Sequence, residues 1–172
     1  MQQTILALGA LMIIMMTALN HQRSIIMIQE VSYAREMESA ALDLAKLKIE
    51  EKLIETEFDA AWMGSTVFPS SPSVLTASNA FGLEGTEGVG VYDDIDDYHN
   101  VTEFNWPHSI GADTFRFNIT YSVSYIDTNT GATTNVPTYA KQLTADVVSA
   151  DSVGSRTARA TFSKTTIISE DI

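Results

Sequence analysis

The chain has 172 residues, is 45% hydrophobic and carries a formal net charge of −12 at pH 7. That length accommodates one domain plus an extended element rather than two large domains, and the acidic balance argues against nucleic acid and anionic membrane surfaces as partners. With no cysteine in the sequence, disulfides, thiol catalysis and Cys-based zinc sites are excluded.

The first element is MQQTILALGALMIIMMTALNHQRS, which carries no charged side chain before Arg23. A secretory signal needs a basic leader and a small-residue cleavage site. Here only Gln2 and Gln3 precede the apolar run, and nothing after Leu19 resembles A-x-A. The stretch is therefore a poor signal peptide; a basic leader, had there been one, is expected to have been removed, leaving Met1 as the mature N-terminus. Thr4 to Leu19 spans about 24 Å as a helix at about 1.5 Å per residue, short of the ~20 apolar residues of a typical membrane span. The apolar run resumes at Ile25–Ile28 after the polar break Asn20–Ser24. Met12, Met15, Met16 and Met27 suit irregular packing, and Ala7, Gly9 and Ala10 allow close helix approach. The surface expected to be buried among other helices is Ile5, Leu6, Leu8, Leu11, Ile13, Ile14, Leu19, Ile25 and Ile28.

From Gln29 to Met63 there is no Gly or Pro, and apolar residues recur at steps of three and four: Val31, Ala34, Met37, Ala41, Leu44 and Leu47. Leu42, Ala45, Ile49, Leu53 and Ile54 widen that stripe, and Phe58 and Trp62 extend it. This is the amphipathic-helix signature, with Lys48 and Lys52 near Glu51 and Glu55 as ion-pair partners. Gly64-Ser65, Pro69 and Pro72 end it. Residues 1–63 are thus predicted as one helix, apolar over 1–28 and amphipathic over 29–63, about 90 Å long. The rest of the chain cannot cover such a helix, so its N-terminal half needs apolar partners in lipid or in other copies.

Residues 64–113 are predicted as a loop region. It holds the acidic segment VYDDIDDYHN, and no Lys or Arg occurs between Leu53 and Phe115. Asp93, Asp94, Asp96 and Asp97 are hard oxygen donors suited to Ca²⁺, although the Gly and distal Glu of an EF-hand are missing. Two other readings stand beside that one: a solvated acidic loop, and a contact with a basic residue of a neighbouring subunit such as Arg156 or Arg159. Asn100-Val101-Thr102 and Asn118-Ile119-Thr120 are sequons, marking Asn100 and Asn118 as candidate glycosylation sites.

Residues 114–172 are predicted as an antiparallel sheet. In TFRFNITYSVSYI, Phe115, Phe117, Ile119, Tyr121, Val123 and Tyr125 alternate with polar residues, the pattern of a strand with one wet face. Asp127 to Gly131 signals a turn. Further strands are expected at Gln142–Val148 and Arg156–Ile168. The aromatic face needs a cover, and the C-terminal half of the long helix is the nearest candidate, giving an α+β fold. His21, His99 and His108 share no metal-ligand spacing, and no Gly-rich phosphate loop follows a strand, so the chain is not expected to be an enzyme.

An apolar N-terminal helix that becomes amphipathic, then a loop, then an antiparallel sheet resembles the type IV pilin superfamily. The resemblance covers the whole chain as architecture, and YDDIDDYHN is similar to a motif in some minor-pilin-like proteins. Met1 and Ile5 stand where the family usually has Phe and Glu. The resemblance implies a basic leader cut by a prepilin peptidase and residence in the inner membrane. The pilus assembly machinery would then bring the subunit into an extracellular filament made of many copies. The expected function is a structural filament subunit with its β head exposed; the alternative is a single-pass envelope protein with a ligand-binding β domain.

Overall fold

The computed structural model describes residues 2–59, 70–83, 92–110, 113–150 and 157–167. One helix, α1 (Gln2–Glu55), runs without interruption through the polar break at Asn20–Ser24. At about 1.5 Å per residue it is about 80 Å long. Within it the Thr17 hydroxyl donates back to the carbonyls of Ile13 and Ile14, at 3.1 and 2.8 Å.

The two halves of α1 have different surroundings. All described side chains from Gln3 to Glu30 are exposed, whereas Ala34, Met37, Ala40, Ala41, Leu44, Ala45 and Ile49 are buried. The many alanines in this stripe let the helix lie close to the sheet, so few large side chains are needed from its own side. The expected stripe is correct at its centre and too wide at its margins. Leu47 and Ile54 are 58% and 85% exposed, while Lys48 is 1% exposed. At about 100° per residue, Leu47 and Ile54 point some 110–130° away from the stripe's middle, whereas Lys48 falls inside it.

The helix ends earlier than its composition suggests, at Glu55 rather than Met63. The Thr56 hydroxyl closes the last turn by donating to the Lys52 carbonyl at 2.7 Å. Glu57 then enters a parallel bridge with Asp94: its N–H donates to the Asp93 carbonyl, and its own carbonyl accepts from the Ile95 N–H, both at 3.0 Å. Helix-forming composition is a weak prior that tertiary pairing overrides, and here it yields to backbone pairing with a segment far away in sequence. Trp62 and Met63, expected to extend the helix, lie outside the described residues.

Among the described residues, five strands form one antiparallel sheet: β1 (Thr102–Ile110), β2 (Asp113–Ile126), β3 (Thr133–Thr134), β4 (Ala140–Ser149) and β5 (Arg159–Ile167). Their order is β1-β2-β4-β5, with β3 paired to β2 beside that path. The molecule is therefore α+β, a long helix whose C-terminal half packs on a small antiparallel sheet. Side chains on β2 alternate as expected: Phe117, Ile119, Tyr121, Val123 and Tyr125 are buried. Leu143, Ala145 and Val147 of β4 continue this face.

Strand β1 falls in what the sequence presented as loop. Pro107 and the irregular step at Asn105 disguise it. As an edge strand, β1 tolerates Pro107, which has no N–H for a ladder. A bulge lies between Glu103 and Trp106, with Asn105 at φ 57°, a left-handed conformation that Asn adopts more readily than most residues. The Asn118 side-chain oxygen fixes the bulge by accepting from the Asn105 N–H at 3.1 Å.

Candidate functional site

The first candidate surface is the free half of α1. Leu6, Leu8, Leu11, Ile13, Ile14 and Leu19 are 71, 69, 66, 65, 67 and 50% exposed, and Ile25 and Ile28 are 42 and 65% exposed. The side chain of Ile5 lies outside the described residues. The apolar part of the helix is long and apolar enough to cross a membrane, and none of it is buried against the other described residues. Contact with the head begins near Tyr33, whose hydroxyl donates to the Asp113 carboxylate and whose ring meets Phe115 edge-on at 5.6 Å. That carboxylate raises the Tyr33 hydroxyl above its usual pKa.

The second candidate is the acidic segment, which is not a solvated loop. Asp94, Asp96 and Asp97 are 1, 2 and 2% exposed. Two of the carboxylates cap local backbone. Asp94 Oδ1 accepts from the N–H groups of Asp96 and Asp97 at 2.9 and 3.3 Å. Asp97 Oδ2 accepts from those of Asp93 and Asp94 at 3.0 and 3.3 Å. Asx side chains commonly hold turns in this way; here two interlock around the short 3₁₀ turn Asp96–Tyr98. His99 closes the segment, its Nδ1 accepting from the Val123 N–H of β2 at 3.1 Å.

Asp96 has a different partner. Its carboxylate meets the Lys141 ammonium from the start of β4, which also binds Asp59 Oδ2 at 2.7 Å and the Phe58 carbonyl at 2.8 Å. Lys141 and Asp59 are both 0% exposed. Asp59 is held in turn by the Thr76 N–H at 3.0 Å and the Thr76 hydroxyl at 3.3 Å. The rings of Phe58, Phe81 and Tyr125 surround the ammonium, their centroids 4.9, 5.5 and 5.6 Å away. Burial, and then the carboxylates of Asp59, Asp96 and Asp94, push the Tyr125 hydroxyl far above its usual pKa; that hydroxyl donates to the Thr76 carbonyl at 2.7 Å.

The four-aspartate set expected for Ca²⁺ is thus divided. Asp96 belongs to the Lys141 centre. Asp93, Asp94 and Asp97 each place a carboxylate oxygen within 4.8 Å of the others, and these are the residues that could hold a hard cation. The Asp93 Oδ1 atom is buried without a hydrogen-bond partner, whereas Asp94 and Asp97 already accept backbone N–H groups. Arg159, considered as a neighbour's partner for this segment, binds Asp146 of its own chain through Nε at 3.0 Å and Nη2 at 2.6 Å. Arg156 lies outside the described residues.

The sequons occupy unlike positions. Asn100 is exposed at a turn, at φ 66°. Asn118 is half-buried within β2 and uses its amide oxygen on the bulge.

The sequence pointed to neither Lys141 nor Asp59 as site residues. A signal for Lys141 was present: it lies in phase with Leu143, Ala145 and Val147, on the core-facing side of its strand. Comparison with family models, curated proteins and solved structures returned no match.

Proposed function

We propose that this chain is a structural subunit of an extracellular pilus-like filament, polymerising through the apolar half of α1 with the β head outward. One observation carries the reading: the helix from Leu6 to Ile28 exposes two apolar runs on either side of the polar step Asn20–Ser24, and the described residues of the head leave them uncovered. In water such a surface must find cover. Copies of the same helix, packed through Ala7, Gly9 and Ala10, supply one, and lipid supplies a temporary one before assembly. The architectural resemblance to type IV pilins points the same way. It brings with it inner-membrane residence, a prepilin peptidase and assembly machinery as proposed partners, and the cell surface as the proposed location.

The span-like composition of the same segment favours a second reading, a single-pass envelope protein whose β domain recognises a ligand. The two readings separate on the state of the full chain at the cell surface. Filament assembly gives sheared surface fibres containing the chain, with an N-methylated N-terminal peptide by mass spectrometry. A permanent anchor gives a membrane-extracted monomer, an unmethylated N-terminus and no fibres.

A further inference from the structure

We propose that Lys141 and Asp96 form an intramolecular isopeptide bond, with Asp59 as the acid–base group that promotes it. This proposal is independent of whether the chain assembles into filaments.

Three requirements for such a bond meet at this centre. The first is proximity: Lys141 Nζ touches the Asp96 carboxylate and lies 2.7 Å from Asp59 Oδ2. A reaction between groups held in contact needs no bimolecular encounter, and effective molarities for well-oriented pairs are very large. The second is exclusion of water. Lys141, Asp59 and Asp96 are 0, 0 and 2% exposed, and aromatic rings wall the site. Amide formation releases water, so a dry site favours the product and protects it from hydrolysis. The third is a second carboxylate within reach of the same nitrogen, positioned by its own partners. Asp59 meets this requirement, because Thr76 holds it through both N–H and hydroxyl.

The centre also favours the product electrostatically. One ammonium faces two carboxylates in a buried setting, where charge is costly to maintain. Joining Lys141 to Asp96 converts one cation and one anion into a neutral amide. The remaining Asp59 carboxylate keeps its Thr76 donors.

The step balances as a condensation. Asp59 takes a proton from the Lys141 ammonium, giving the neutral amine that acts as nucleophile. The nitrogen lone pair attacks Asp96 Cγ, and a C–N bond forms. Protons removed from nitrogen pass through Asp59 to a carboxyl oxygen of Asp96, the C–O bond breaks, and that oxygen leaves as water. The ammonium and the carboxylate together lose one water, with no oxidant, reductant or co-reactant. The amide ties the acidic segment to the start of β4, closing a loop between positions 96 and 141.

The test is the denatured mass and peptide map of the full chain purified in detergent. The expected mass is lower by one water molecule than the covalent sequence requires. Trypsin fails to cut after Lys141. A Glu-specific protease separates fragment 58–84, containing Asp59, from fragment 88–103, containing Asp96, and the branched product contains 88–103. Lys141→Arg and Asp96→Ala restore the full mass, and Asp59→Asn leaves the bond unformed in a chain whose near-ultraviolet circular dichroism stays native. A wild-type chain of full mass with normal cleavage after Lys141 overturns the proposal without reference to any variant. A branch on 58–84 overturns the choice of Asp96 as acceptor.

Discussion

Lys48 Nζ lies 3.4 Å from the centroid of the Trp106 ring, joining the buried face of the helix to the edge strand of the sheet. Glu51 binds the same ammonium at 3.0 Å, and Glu103 of β1 lies 3.8 Å from it. Lys52 adds contacts to Glu103 at 3.6 Å and to the Tyr98 ring at 5.1 Å. A lysine therefore fills a position on the core-facing stripe because the partner strand supplies a ring face and carboxylates to receive it.

The expected consequence is an asymmetry between two substitutions. Lys48→Met keeps the length and apolar stem of the side chain over Trp106, and Lys52 still faces Glu51 and Glu103, so its cost stays below about 1.5 kcal/mol, in keeping with volume-conserving exchanges. Lys48→Ala in addition leaves the Trp106 face empty, and costs about 2–5 kcal/mol, as for other truncations of long buried side chains. Urea unfolding of the full chain in detergent, followed by tryptophan fluorescence, checks both. Equal costs would show that the stem packed on Trp106 contributes little and that loss of the charge accounts for both.

Helix-face assignments make a second contrast. Ile49 is 0% exposed and Ile54 is 85% exposed. Ile49→Ala is expected to cost about 2–5 kcal/mol through lost burial and the cavity left behind. Ile54→Ala is expected to stay within about 0.5 kcal/mol, as for ordinary surface sites. Reversal of this order would place the sheet on the wrong face of α1.

The pH dependence has two limbs. Arg159, hydrogen-bonded to Asp146, holds its carboxyl below the usual range, and the Asn129 N–H does the same for Asp127. A carboxylate with a depressed folded-state pKa contributes stability above its unfolded pKa and loses it as the pH falls. The acid limb should therefore appear below about pH 4 and flatten in Asp146→Asn. Both acids are only half-buried, so solvent screens their interactions and this limb is shallow.

On the alkaline side, burial and then the nearby Glu103 carboxylate hold Tyr121 protonated far above its usual pKa. A raised folded-state pKa contributes stability that is complete below the unfolded value and declines above about pH 10. Tyr121→Phe should weaken the alkaline limb and leave the acid limb unchanged. Thermal unfolding measured across the pH range reads both.

The free arm makes a prediction of its own. Ile14 is 67% exposed in the apolar half of α1. Ile14→Arg is expected to leave the head's near-ultraviolet circular dichroism and unfolding midpoint unchanged while abolishing fibres and weakening membrane retention, since a charge at mid-span opposes both apolar environments. A loss of head stability would mean that the arm folds back onto the sheet.

Local periodicity carried much of this architecture. The alternation from Phe115 to Tyr125 identified β2 and its buried face, and the Ala34–Ile49 spacing identified the stripe that covers it. Strand β1 was hidden because Pro107 and the left-handed Asn105 read as loop punctuation, and only an edge position with a bulge accommodates both. The end of α1 was hidden because pairing of Glu57 with the Asp94 segment outweighs helix propensity. The acidic segment was legible as a charge cluster but not as a buried one. Its cation comes from Lys141, 45 residues away, and Asp59 joins from 82 residues before that lysine. Such contacts are set by sheet register and by the exit path of the helix, neither of which a short window contains.

The most direct measurement of the central claim is electron cryomicroscopy of fibres sheared from cells that express the full chain. The account predicts filaments of this chain in which the segment from Leu6 to Ile28 lies in the core against copies of itself and the five-stranded heads form the outer surface. Cells that bear no such fibres, with the chain recovered only as a membrane-bound monomer, would contradict it.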